Sequence, residues 1–286
     1  MTSTRAPVPD VLARLTATGR GGAELRSGND TAPEWSPRPY LHPVTTPAGV
    51  VVTDTHPEDH RWHLGASVTL QDVGGVNFWG GRTYLRDRGY TWRDDHGHVA
   101  VDALTADERR LEAEFRWVGP DGRGRLREQR HLEVRESHEG AWRLGVTFAL
   151  HNTTDADLPL GSPATNGRVG AGYGGFFWRL PTGPEPVRVR TPAAEGEQAV
   201  HGSVADWVAA HGSDTAGRRW TVAVVAMDEV TRADPWFVRV AGYPGVCSAL
   251  AFVDPVVLTP GAVVQREFEV LVADGWRLPD GTDEGR

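Results

Sequence analysis

RRLEAEFRWVGPDGRGRLREQRHLEVRE (109–136) holds two runs in which apolar and polar residues alternate, joined by a turn of Gly, Pro and Asp. In the first run Leu111, Ala113, Phe115 and Trp117 share one face. A period of two is the mark of a strand with one face buried and the other wet. In the second run Leu126, Leu132 and Val134 define an apolar face, and Glu128 and Arg130 have the same parity. A carboxylate and a guanidinium in line with core residues are costly to bury unless they are paired or put to use. Two readings stay open here: an internal Glu–Arg pair, or an inner face that opens onto a ligand cleft.

The same alternation recurs on both sides. AWRLGVTFAL (141–150) places Trp142, Leu144, Val146, Phe148 and Leu150 on one face, and HLGASVTLQDV (63–73) does so with Leu64, Ala66, Val68 and Leu70. WTVAVVAM (220–227) is apolar throughout, as a strand buried on both faces would be. AVVQREFEVLV (262–272) closes the pattern. Turn signals separate these runs: GPDGRG, SHEG, NTTDAD, PTGPEP, HGSDTAG and LPDG. No repeat of ~20–50 residues appears, and no Pro/Gly linker divides the chain. The expected fold is all-β, two large antiparallel sheets packed face to face in one domain spanning 21–276. Residues 1–20, with a short helix-like patch VLARLTA, and residues 277–286 are expected to be flexible ends.

Composition narrows the function. The chain has 286 residues, a formal net charge of −8 and no basic stripe, so nucleic acid is not an expected partner. No run reaches the ~18–20 apolar residues of a membrane span, and the first residues lack the apolar segment of a secretory signal. A cytoplasmic location is expected. Cys247, the single cysteine, allows no internal disulfide and reads as a small buried hydrophobe. The sequence contains no lysine at all. Schiff-base chemistry, lysine-anchored pyridoxal phosphate and the P-loop lysine are thereby excluded. Proton transfer near neutral pH falls to His, Asp, Glu or Tyr.

The chemistry-bearing residues gather in two segments. HPEDHRWHLGASVTLQDVGGVNFWGG (56–81) carries His60 and His63 at a strand entrance and Asn77 and Trp79 beyond that strand's exit. TNGRVGAGYGGFFWRLP (165–181) brackets glycines and aromatics, Tyr173 among them, with Arg168 and Arg179. Aromatic faces stack on the C–H patches of sugars while arginines and amides bond hydroxyls or carboxylates. Trp79, Trp92 and Trp207 lie near turn-like sequence and are better candidates for exposure than Trp117 or Trp142. A metal site using His60, His63 and a carboxylate is chemically open, but the spacing is not diagnostic. His96 and His98 share a face as in cupin sites, yet Asp102 only approximates the cupin acid and no second histidine motif follows.

RPYLHPVTTPAGVVVT (38–53), DHRWHLG (59–65), DVGGVNFWGG (72–81), GYGGFFWR (172–179) and the late YPGV with FVDPVVLTPG resemble, in order and wording, the PmoA-like family, a bacterial domain family of unknown function. The resemblance covers roughly 38–275. The methane oxygenase label attached to that family does not fit, since the membrane-bound monooxygenase needs several apolar spans. The resemblance implies a β-supersandwich similar to galactose mutarotase, in which cleft histidines and a glutamate exchange protons around a sugar. Carried over by residue type, His60, His63 and Glu128 would be catalytic, with Asn77, Trp79, Arg130, Arg168, Tyr173 and Arg179 binding substrate. Family members often carry an extra histidine where this chain has Trp62, which weakens a three-histidine metal site. The expected function is a cofactor-independent enzyme acting on a sugar, keto-sugar or glycoside by acid–base chemistry: anomerisation, epimerisation or elimination. The alternatives are a non-catalytic carbohydrate-binding module and a metal-dependent enzyme using His60 and His63. The expected partner is a small sugar, with no nucleic acid and no membrane; the sequence does not fix the oligomeric state.

Overall fold

A computed structural model describes residues 10–136 and 139–280, which leaves part of both expected flexible ends, and Ser137 and His138 of the SHEG turn, outside the described residues. The alternating runs form two sheets. The larger has eight strands in the order Arg188–Arg190, Trp207–Ser213, Arg219–Ala226, Val263–Asp274, Ala141–Asn152, Gly124–Glu136, Arg110–Val118 and His98–Ala106. The other has seven, in the order Val11–Thr16, Gly22–Arg26, Tyr40–Thr45, Ala66–Leu70, Gly174–Arg179, Gly245–Ala249 and Trp236–Arg239. Every ladder within these two sheets is antiparallel. Among the described residues helix is confined to the short turns Glu197–Val200 and Glu229–Arg232 and a 3-10 turn at Pro33–Trp35.

The apolar faces meet as their parity requires. Leu111, Phe115, Trp117, Trp142, Leu144, Phe148 and Leu150 join one core with Val68, Leu70, Phe176 and Trp178 of the opposing sheet. Arg219–Ala226 is buried on both faces: Val222 and Val224 enter that core, while Ala223 packs outward with Ala209, Leu271 and Ala273. The start of the chain differs from expectation. VLARLTA is not helical; Val11–Thr16 is an edge strand paired with Gly22–Arg26. Its Leu15 is buried in the main core, which gives the segment an apolar anchor and a strand to pair with.

The seven-stranded sheet has a second buried layer on its outer face, and this layer positions the candidate site. Successive residues of Gly174–Arg179 point to opposite sides. Phe176 and Trp178 enter the main core, whereas Phe177 points outward and packs with Trp79, Tyr173, Phe237, Cys247 and Ala249. Cys247 is thus a packing residue, and burial pushes its thiol up to about 12.

Candidate functional site

The outer layer is roofed by loops from four strands. DHRWH precedes Ala66–Leu70, Trp79 follows it, Arg168 to Tyr173 precede Gly174–Arg179, and Tyr243 lies on the hairpin between Trp236–Arg239 and Gly245–Ala249. These loops enclose a cleft of about 510 Å³, lined among others by His60, His63, Trp79, Arg168, Tyr173 and Tyr243. That volume suits a ligand of one or two sugar rings.

Two consecutive turns make the histidine pair. The His60 amide donates to the Pro57 carbonyl at 3.1 Å and the His63 amide to the His60 carbonyl at 2.9 Å. Closure of the second turn lays the two imidazoles against each other, 4.7 Å apart and 28° from parallel. Gly65 lets the chain leave this turn beside the sheet: its φ is +42°, and a Cβ there would sit 2.1 Å from the Leu41 carbonyl oxygen.

The two histidines differ in environment. His60 is partly open and its Nδ1 lies 2.8 Å from an Asp59 carboxylate oxygen, an exposed acid–imidazole pair. His63 is 1 % exposed, packed between Phe177 at 5.1 Å and Trp79 at 5.7 Å, with its Nδ1 lacking a hydrogen-bond partner among the described residues. Desolvation first, then the nearby His60, Arg179 and Arg38, hold His63 well below the ordinary histidine range. It is a neutral imidazole at pH 7. The Tyr243 ring touches both, 4.6 Å from His60 and 4.9 Å from His63. Burial pushes the Tyr243 phenol up to about 12, so it stays a hydroxyl donor.

Across the cleft the Tyr173 ring packs against Trp79 at 4.5 Å, tilted by 45°, and its hydroxyl lies 2.9 Å from that of Tyr90. Arg168 donates to the Tyr90 hydroxyl and lies over that ring at 4.7 Å. Trp92 is half exposed at the rim, as its turn-like surroundings imply, and Arg82 lies 5.9 Å from its ring. Trp79, expected to be exposed, is instead buried as part of the cleft floor.

The remaining expected site residues lie elsewhere. Glu128 is fully buried between the sheets, where it accepts from Trp117 Nε1 at 2.9 Å and from Arg130 Nε at 2.6 Å. Register explains it: Glu128 faces Phe115 and Leu150, and Arg130 faces Ala113 and Phe148. The parity reading was right that both point inward, and the pair reading is the one observed. The assignments of Glu128 as a catalytic residue and Arg130 as a substrate ligand are therefore corrected to an internal ion pair. Asn77 is also corrected: its side-chain oxygen accepts from the Trp79 and Gly80 amides, both at 2.9 Å, so it shapes the Trp79 loop without lining the cleft. Arg179 lies behind the cleft wall, 3.6 Å from Asp54 and 5.3 Å from the Tyr243 ring. His96 is a loop clamp, its Nε2 donating to the Gly81 carbonyl at 2.6 Å.

Several site residues went unforeseen. Tyr243 and Arg239 come from the hairpin around AGYPGV, where Gly and Pro marked a turn but nothing in sequence tied it to DHRWH. Arg38 is the main concealed organiser. Fully buried and with no carboxylate partner among the described residues, it donates to the Trp62 carbonyl at 2.9 Å and to the Trp79 carbonyl at 3.1 Å. It ties together the loops on both sides of Ala66–Leu70. Burial pulls its guanidinium down to about 9, still a cation at pH 7.

Among the described residues no three His, Cys, Asp or Glu side chains converge as metal ligands, and no helix is long and apolar enough to cross a membrane. Fold and cleft together define a β-sandwich protein with an aromatic, histidine-bearing pocket on the outer face of one sheet. The chain belongs to the family of unknown function DUF6807, whose model matches residues 13–283. Among curated proteins, none matches the chain.

Proposed function

We propose that the cleft binds a sugar, keto-sugar or glycoside and moves protons on it, in anomerisation, epimerisation or elimination beside a carbonyl. The observation that carries this reading is the stacked His60–His63 pair against Tyr243, set in a cleft walled by tryptophans. The indoles offer flat apolar faces to the C–H side of a sugar. His63, neutral and lining the cleft, is the general base. His60, joined to Asp59, is the general acid, and the Tyr243 hydroxyl donates to the developing oxyanion. Asp59 takes the carboxylate role that the mutarotase-like resemblance would have given to Glu128. That resemblance, and the PmoA-like wording of the loops around the cleft, support the reading.

The test follows neutral, acidic and 3-keto monosaccharides and their methyl glycosides by NMR with wild type, His60→Ala and His63→Gln. Removal of either imidazole is expected to slow turnover ~10²–10⁴-fold. Equal rates in all three proteins would refute the site. Binding without turnover in wild type would refute catalysis and leave a carbohydrate-binding module.

A further inference from the structure

We propose that the sugar taken by this cleft is acidic, carrying a carboxylate that Arg168 and Arg82 receive. This rests on reading the cleft as a sugar site. The chain as a whole carries a formal net charge of −8. The cleft reverses that sign: its charged lining is Arg82, Arg168, Arg239 and a single carboxylate, Asp59. That carboxylate is engaged by His60 at 2.8 Å.

The three arginines are not equivalent. Arg239 is pinned: it donates to the Gly170 and Val238 carbonyls at 3.2 and 2.8 Å and meets His201 Nδ1 at 3.0 Å. Glu197 lies 3.8 Å from it. Arg239 therefore contributes a fixed positive charge with few spare donors. Among the described residues Arg168 and Arg82 are held by aromatic rings and, for Arg168, by one bond to the Tyr90 hydroxyl. Neither has a carboxylate within ion-pair distance among the described residues, and both are exposed. A guanidinium held by an aromatic ring and not by a carboxylate keeps N–H donors available to receive one.

Beneath the cleft the same sign continues. Arg38 is fully buried with only neutral acceptors among the described residues, and Arg179, though 3.6 Å from Asp54, has its Nη1 unbonded beneath Tyr243. A cleft with low-dielectric walls and three arginines in its lining concentrates anions of ligand size. A carboxylate suits it better than a phosphate. The Trp79 and Gly80 amides, which might have formed an anion cradle, are already taken by Asn77.

Isothermal titration with D-glucuronate and D-galacturonate, their neutral parents D-glucose and D-galactose, and D-glucose 6-phosphate tests the proposal. In wild type at low ionic strength at least one uronate is expected to bind about 10-fold or more tightly than its parent, equivalent to ~1.4 kcal/mol. Salt should shrink that ratio. In the double variant Arg82→Gln/Arg168→Gln, with its thermal unfolding checked, the ratio should fall toward one. The proposal is overturned if the neutral parents bind as tightly as the uronates, if glucose 6-phosphate outcompetes both uronates, or if the ratio survives in the double variant. Each of those results leaves the cleft a sugar site. Absence of binding by all five compounds overturns the sugar reading itself, and this proposal with it.

Discussion

Replacing Glu128 by leucine should unfold the protein more readily than replacing Glu128 and Arg130 together. Glu128 is fully buried, and its oxygens serve Trp117 Nε1 and the Arg130 guanidinium. Glu128→Leu strands a buried cation whose other neighbours are the Phe115 ring at 4.7 Å and the Pro39 carbonyl at 3.4 Å. Breaking one side of such a pair costs ~3–5 kcal/mol, and the unserved indole N–H adds ~1–3 kcal/mol. Glu128→Leu/Arg130→Met keeps the indole cost and removes the stranded charge. The two variants share one defect, so their difference isolates the guanidinium and should be ~3–5 kcal/mol in favour of the double. Urea unfolding reads it directly, and the corresponding gap in Tm is on the order of 5–10 °C. The reasoning fails if the double variant is no more stable than the single. It also fails if Glu128→Leu folds normally but loses sugar turnover, since Glu128 would then be at work in the cleft.

Arg38→Met should cost ~2–4 kcal/mol, because the Trp62 and Trp79 carbonyls lose a buried charged donor, and should loosen sugar binding through the loops they anchor; urea unfolding and titration of a bound sugar check the two effects separately. Gly65→Ala should destabilise by ~2–4 kcal/mol, since φ is +42° and the new Cβ would sit 2.1 Å from the Leu41 oxygen; a Tm equal to wild type contradicts this. Stability should fall as pH drops below about 6.5. Buried histidines are held neutral, so above that pH both states are deprotonated and nothing changes, while below it the unfolded chain binds protons first. His211, lowered from 6.5 to about 4 by burial and by Arg190 and Arg188, alone implies a loss of roughly 3 kcal/mol across that window. A urea midpoint constant from pH 7 to 4 would refute it. NMR titration should show His63 failing to protonate where ordinary histidines do.

The fold was legible because period two is a local signal. Each residue of RRLEAEFRWV reports its face without reference to any other strand, and Leu111, Phe115 and Trp117 are accordingly in the core. The strand at Val11–Thr16 was not, because its partner supplies the pairing and its own pattern is weak. Half of the site was legible for the same reason: His60 and His63 meet through a turn closed within four residues. Tyr243 reaches them across a sheet, and no spacing in the chain encodes that. Glu128 failed as a site residue because parity tells which face a side chain takes, not whether that face meets a ligand or a second sheet. Arg38 was invisible for a related reason: apart from the Ser67 hydroxyl its acceptors are backbone carbonyls, which carry no residue signature.

On the proposed reading, a bound acid and the base act on each other through the field in the cleft. Burial first, then His60, Arg179 and Arg38, hold His63 below its ordinary range. A carboxylate held at Arg168 would offset part of that field, so a bound acidic sugar should raise the proton affinity of His63. By linkage the protonated histidine must then bind the acid more tightly than the neutral one, by the same factor. On the proposed reading, burial keeps His63 deprotonated and ready to accept, and the charge of an acidic substrate would make the accepted proton easier to hold. A neutral sugar would gain the first half of this arrangement and not the second. On this argument the preference for an acidic sugar belongs to the proton-transfer step as much as to binding, and should be larger in kcat/KM than in affinity.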